Sequence, residues 1–303
     1  MPKLKTQAAK QNLLRRVRRQ RLKYITILPS LVTILNGLCG FAAIILIAHS
    51  EFTKAGYILL LAMVADVIDG HLARMNRNAT SFGGQLDSLC DIISFGVAPA
   101  FLMFWIVESR PDGTRLEVME KLIWLAAAAY TSCAAIRLAR FNVENDEDKS
   151  SHLSFFGLPS PVAAGVIVST VIFHQETLDK VFPDSSKTYA FFDNAIIYAL
   201  PVVSLLLAVL MVSRIRYSHV LNQYVGGKKP FAHLIWLLIG LGLVVWNLPA
   251  ALLLIFWSFA ASGLVKWVYY KIARKADLLT AGSEQMEKIA IDASNCPTRN
   301  DNA

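Results

Sequence analysis

The residues of this chain best suited to chemistry are Asp66, Asp69, Asp87 and Asp91, with Gly70, Ala73, Arg74 and Gly83 set among them. Carboxylates beside or within strongly apolar runs are costly, and they neutralise or find a cation. Asp66 and Asp69 are three apart and Asp87 and Asp91 four apart, so on helices each pair shares one face. Two such faces turned toward each other make an oxygen-rich cage suited to hard divalent cations. Gly70, Ala73 and Gly83 allow close approach of backbone or ligand beside the acids, and Arg74 suits a phosphate. Metal ligands, room and an arginine are together what an enzyme handling a nucleotide diphosphate needs. Helix capping would account for one aspartate and a salt bridge to Arg74 for one more, which leaves the others unexplained. A divalent-cation transporter would use the same acids, but it gives no reason for Gly70, Ala73 and Arg74.

The elements that must position these residues are membrane spans. The chain has 303 residues, 55% of them hydrophobic, and a mean hydropathy of +0.46. That is too apolar for an ordinary soluble domain. Apolar runs near the ~20 residues needed to cross a bilayer as helix recur about eight times. They are Ile25–Ala48, Ala55–Arg74, Ile92–Val107, Leu122–Phe141, Pro159–Phe173, Phe191–Val212, Phe231–Trp246 and Leu248–Tyr270, of which the third and fifth are short. Trp105, Trp124, Trp246, Trp267, Tyr269 and Tyr270 fall near span ends, where amphipathic rings favour the interface. The expected fold is an all-α, polytopic helical bundle.

Basic residues set the expected orientation. The stretch Met1–Lys23 is rich in arginine and lysine and has no acid. Alternating from a cytoplasmic N-terminus, the inner segments hold Arg74 and Arg77, Arg137 and Arg140, Arg214, Arg216, Lys228 and Lys229, and Lys271, Arg274 and Lys275. The outer segments carry Glu108, Asp112, Glu117, Glu120, Asp179 and Asp184 and fewer bases. The positive-inside rule then puts both termini and the carboxylate cage at the cytoplasmic face. The formal charge of +8 sits next to spans, where anionic headgroups attract it, so no nucleic-acid partner is needed. Met1–Lys23 reads either as an interfacial amphipathic helix or as an unstructured tail. Ala276–Ala303 turns polar and is expected to fray.

Other chemistries lack support. Cys39, Cys90, Cys133 and Cys296 show no zinc or CxxC spacing, and the six histidines form no ligand pattern. His71 stands inside the aspartate string and reads as solvent-facing. HExxH, P-loop and GxSxG motifs are absent, which removes zinc hydrolysis, ordinary nucleotide hydrolysis and serine acylation. No convincing internal repeat backs a repeat-built transporter.

The string Asp66-x-x-Asp69-Gly70-x-x-Ala73-Arg74, followed by Gly83, Asp87 and Asp91, resembles the signature of the CDP-alcohol phosphatidyltransferases at every fixed position and both spacings. That resemblance implies a six-helix membrane core, with about two further C-terminal spans here, and a homodimer. It implies Mg²⁺ or Mn²⁺, as two ions, on Asp66, Asp69, Asp87 and Asp91, with Asp91 also the catalytic base. It places cytidine diphosphate on Asp66, Gly70, Ala73, Arg74 and Gly83. The corresponding division of the chain is a basic segment over 1–24, a catalytic core over 25–217, added spans over 218–275 and a polar tail over 276–303.

Flanking stretches narrow the resemblance. Asp87–Ala100, Leu28–Gly40, Arg137–Asn142, Phe156–Pro161 and Met211–Tyr217 are similar to the bacterial phosphatidylserine synthase branch, with Ser30 where those proteins often have asparagine. The substrates implied are CDP-diacylglycerol and L-serine, at a bacterial cell membrane. Glycerol 3-phosphate, inositol and choline remain alternative acceptors. Arg137 and Arg140, three apart near the end of the fourth span, could grip a serine carboxylate with help from Asn142, or could snorkel to lipid headgroups.

Overall fold

The computed structural model describes residues 30–75, 81–110, 117–147, 157–181, 187–213, 247–263 and 265–266. The regular structure of these residues is helical throughout. Helix α1 is Ser30–Ala48, α2 Phe52–Met75, and α3 Ser81–Asp91. A π-helical segment, Ile92–Val97, joins α3 to α4, Ala98–Glu108. Then come α5 (Glu117–Glu147), α6 (Ser160–Glu176), the single turn α7 (Leu178–Val181) and α8 (Lys187–Val212). Leu248–Gly263 forms α9.

Five helical stretches among the described residues are long and apolar enough to cross a bilayer: α1, Phe52–Leu72, Phe82–Glu108, Met119–Val143 and α8. The protein is an integral membrane helical bundle. The third expected span is longer than its apolar run, because α3, the π segment and α4 form one rod that carries Asp87 and Asp91. The fifth, α6, has only 17 residues. It is enclosed by its neighbours, and all of Ala163–Ser169 is buried. The expected span Phe231–Trp246, the N-terminal segment and the C-terminal tail lie outside the described residues.

Helix α1 shows how the bundle reverses the pattern of a soluble helix. Leu31, Ile34, Leu35, Leu38, Phe41 and Ile45 are exposed, while Thr33, Asn36, Gly37 and Gly40 are buried. The apolar face meets lipid, and the polar and small residues meet protein. A Cβ on Gly37 would come 2.9 Å from Cys90 Sγ, and one on Gly40 would come 2.8 Å from Ser94 Cα. Both glycines let α1 lie almost backbone to backbone against the α3–π rod. Elsewhere α5 packs on α8 and α4, and α2 on α6. Tyr130, Phe95, Leu102, Met103 and Ile167 fill the centre with essentially no exposure.

A polar cluster closes the end of the bundle formed by the starts of α2 and α8. Arg110 donates through Nη1 to Asp193 Oδ2 at 2.8 Å and through Nη2 to Oδ1 at 2.6 Å. His174 Nε2 lies 2.7 Å from the same Oδ1. Tyr57 donates to Glu176 at 3.0 Å. These bonds tie the end of α4, the end of α6 and the first turns of α8 together. At the opposite end, Gly157 has φ +85°, and a Cβ there would run into the carbonyl oxygen of Met211. Leu158 N–H donates to Leu210 O at 3.1 Å, which docks the entry to α6 on the last turn of α8.

Candidate active site

Asp66 and Asp69 stand one turn apart in the C-terminal half of α2, and Asp87 and Asp91 one turn apart in α3. The packing of these helices brings one carboxylate oxygen from each of Asp66, Asp87 and Asp91 within 4.8 Å of one another. Oxygens so spaced can share a hard cation at the usual ~2.0–2.6 Å. Asp69 is buried at 5% exposure and is held from α1: Thr33 Oγ1 donates to its Oδ2. Its Oδ1 is buried and has no hydrogen-bond partner among the described residues. Asn36, one turn along α1, donates from Nδ2 to Asp91 Oδ1 at 2.9 Å.

Asp91 is the last residue before the π segment, and that segment is cross-linked rather than loose. Ser94 Oγ donates to Asn36 O at 2.8 Å, and Tyr130 Oη to Phe95 O at 3.2 Å. Tyr130 from α5 thus serves a carbonyl of the π segment, while Ser94 of the segment reaches a carbonyl of α1.

Among the described residues, one cation faces the acids. Arg137 on α5 interacts electrostatically with Asp66 and Asp91. Its Nη1 donates to Ser160 Oγ at 2.6 Å, and its Nε is buried without a partner among the described residues. Arg140 turns elsewhere, with Nη1 3.3 Å from Val212 O at the end of α8, where a cation suits the helix terminus. Asn142 exchanges hydrogen bonds with Ser88 on α3 at 2.9 and 3.1 Å. The structure thus brings Arg137 to the carboxylates and gives Arg140 and Asn142 neighbouring partners. Gly70 is exposed, and a Cβ there would meet nothing within 4 Å among the described residues. Packing therefore does not require glycine at that position, whereas room for a bound group would. Ala73 and Arg74 continue α2 in the next turn, Gly83 stands in the first turn of α3, and His71 is exposed.

This is a cation-seeking pocket at one end of a membrane bundle, and sequence comparison supplies its family. The profile described as CDP-alcohol phosphatidyltransferase matches residues 26–203, which spans α1 through most of α8. The chain belongs to the CDP-alcohol phosphatidyltransferase family. It is 29% identical over 244 residues to the CDP-diacylglycerol–serine O-phosphatidyltransferase of Helicobacter pylori, covering 80% of this chain and 92% of that one. The protein of the same name from Methanocaldococcus jannaschii is 29% identical over 246 residues, covering 81% and 96%. An archaetidylserine synthase from Methanothermobacter thermautotrophicus is 36% identical over 144 residues, 47% of this chain and 56% of that one.

For a phosphatidyltransferase, the group of Asp66, Asp87 and Asp91 could hold a divalent metal ion. Fit is supported by the donor set, all hard oxygen, and by the unpaired Oδ1 of Asp69 beside it. Reading the sequence for site residues passed over Thr33, Asn36 and Ser160. A signal for the first two was present: a threonine and an asparagine three apart in a span whose mean hydropathy is 2.4. Polar residues on one face of a lipid-facing helix ask for partners inside the bundle. Ser160 had no such signal, because it stands at a helix start where serine is common.

Proposed function

We propose that this enzyme transfers the phosphatidyl group of CDP-diacylglycerol to the hydroxyl of L-serine, giving phosphatidylserine and CMP. The observation that carries the reading is the convergence of Asp66, Asp87 and Asp91 beside the buried end of Arg137, in a chain of this family. Serine as acceptor is supported by the names of the relatives, which share serine even where the lipid half differs.

Asp66, Asp69, Asp87 and Asp91 would hold the divalent cations, Mg²⁺ or Mn²⁺ and two in number. When bound, these supply Lewis acidity to the diphosphate and stabilise charge on the departing CMP. Asp91 is the base: it takes the proton as the serine oxygen bonds to the phosphorus bearing diacylglycerol and the bond from that phosphorus to CMP breaks. Asp66, Gly70, Ala73, Arg74 and Gly83 line the cytidine diphosphate site, with Gly70 leaving space and Arg74 addressing phosphate. Arg137 receives the serine carboxylate through N–H groups beyond the one given to Ser160. Arg140 and Asn142 flank that pocket as further acceptor contacts.

The catalytic core is assigned to residues 25–217, a range supported by the family match, with 1–24 a basic N-terminal segment, 218–275 added spans and 276–303 a tail. Both termini and the site are assigned to the cytoplasmic face of a bacterial cell membrane, where CDP and serine are dissolved and the acyl tails stay among the helices. The working unit is assigned as a homodimer in the lipid bilayer.

The test is purified protein with CDP-diacylglycerol, labelled L-serine and Mg²⁺ or Mn²⁺. Labelled lipid and CMP in equal amounts are the expected result. Lipid formed from glycerol 3-phosphate, inositol or choline but not from serine would overturn the acceptor and spare the family.

A further inference from the structure

We propose that Thr33 and Asn36 are positioning residues for the carboxylates: from one face of α1, each ties down one oxygen of an aspartate on a different helix and so sets how its other oxygen is presented to a divalent cation. This rests on the metal-assisted reading above and adds two residues, and one helix, that the aspartate signature does not contain.

The geometry is specific. Thr33 Oγ1 donates to Asp69 Oδ2 on α2, and Asn36 Nδ2 donates to Asp91 Oδ1 on α3 at 2.9 Å. Both α1 residues are essentially buried, at 3% and 0% exposure, so these are not bonds that water replaces. A carboxylate with one oxygen engaged by a neutral donor has its other oxygen left to offer. The donor also fixes the plane of the group, as partners behind metal ligands do in general.

Two further observations point from this face toward a cation. Asp69 Oδ1 and Asn36 Oδ1 are both buried and without a partner among the described residues. From this α1 face Thr33 and Asn36 each give a donor to a carboxylate, and the side-chain atoms without a partner among the described residues are acceptors. An unpaired buried acceptor is costly, and a second one beside grouped carboxylates is stabilised only by a cation or by its bound water. The backbone adds stiffness: Gly37 and Gly40 seat α1 on Cys90 and Ser94, and Ser94 Oγ donates to Asn36 O at 2.8 Å. Asn36 is thus fixed at its backbone carbonyl by Ser94 and at its side-chain amide by Asp91.

The test uses the full-length protein in lipid nanodiscs, with Mn²⁺ binding followed by electron paramagnetic resonance alongside CMP release. Thr33→Val keeps shape and removes the donor. It is expected to weaken Mn²⁺ binding about tenfold and to raise the Mn²⁺ needed for half-maximal CMP release by the same factor. Thr33→Ser, which restores a hydroxyl, is expected to return both within about twofold. Asn36→Leu is expected to lower kcat at least about tenfold at saturating Mn²⁺. Wild-type Mn²⁺ binding and turnover in Thr33→Val and Asn36→Leu would overturn the proposal, as would equal losses in Thr33→Val and Thr33→Ser. Should Thr33→Val fail to fold, Asn36→Leu decides alone. A wild-type protein that binds no Mn²⁺ or releases no CMP sinks the proposed function instead, whatever the variants do.

Discussion

The two ends of this bundle hold polar clusters of similar size and opposite character. At one end Asp193 is answered in full: Arg110 donates to both its oxygens and His174 reaches one of them. At the other end three carboxylates converge within 4.8 Å, and among the described residues they face one guanidinium, with acceptors on Asp69 and Asn36 left over. The first arrangement is complete without any partner, and its work is to join α4, α6 and α8. The second has an excess of like charge and oxygen, which folding alone would not favour. In a membrane, a closed polar cluster reads as structure and an open one as a site.

The contrast can be broken most forcefully at the open end. Asp66→Asn, Asp87→Asn or Asp91→Asn should each lower CMP release by about a thousandfold, in line with removal of metal ligands or a base. Thermal unfolding in detergent should stay level or rise, because like charges have been removed. A variant that lost activity together with several degrees of melting temperature would mean that the carboxylates hold the fold. Chelation of metal should abolish turnover of the wild type, and added Mn²⁺ should restore it.

A smaller effect is expected from Arg137→Lys, which keeps charge but loses the planar fork. The KM for serine should rise about tenfold while that for CDP-diacylglycerol moves by less than about threefold. Equal changes in both would assign Arg137 to the carboxylates rather than to the acceptor. At the closed end the expected signs reverse. Asp193→Ala should cost about 2–3 kcal/mol in stability, since it strands a guanidinium, while turnover at low temperature stays within about threefold. Smallest of all, Gly157→Ala should cost about 1–2 kcal/mol through its positive φ and the Met211 carbonyl, read as a lowered melting temperature.

Much of the open end was legible in the chain, and little of the closed end was. Asp66, Asp69, Asp87 and Asp91 pair at helical spacings, so local periodicity already grouped them. Thr33 and Asn36 carried the same signal, a polar pair in an apolar span, but their partners lie 36 and 55 residues away. Sequence spacing does not reveal which helix they meet. Arg110, His174 and Asp193 come from three elements and share no motif, so only the packing of α4, α6 and α8 joins them. The third span extends into the flank upstream of its apolar run, because Asp87 and Asp91 break the run without breaking the helix. The π segment was invisible for a similar reason: Ile92–Val97 reads as ordinary apolar helix, and the extra residue in its turn leaves no compositional trace.

That extra residue gives the α3–π–α4 rod a phase boundary. Upstream, the helix presents Asp87 and Asp91 to Asp66; downstream, it presents Leu102, Met103 and Ile106 to the core. Each residue of an α-helix advances the face by roughly 100°. Deleting one residue within Ile92–Val97 would therefore not merely shorten the rod. It would rotate the acidic half against the buried half, aiming both aspartates away from Asp66 while α4 stayed seated. The chain keeps its reactive face in register by an offset, much as a keyed shaft holds two gears at a fixed angle.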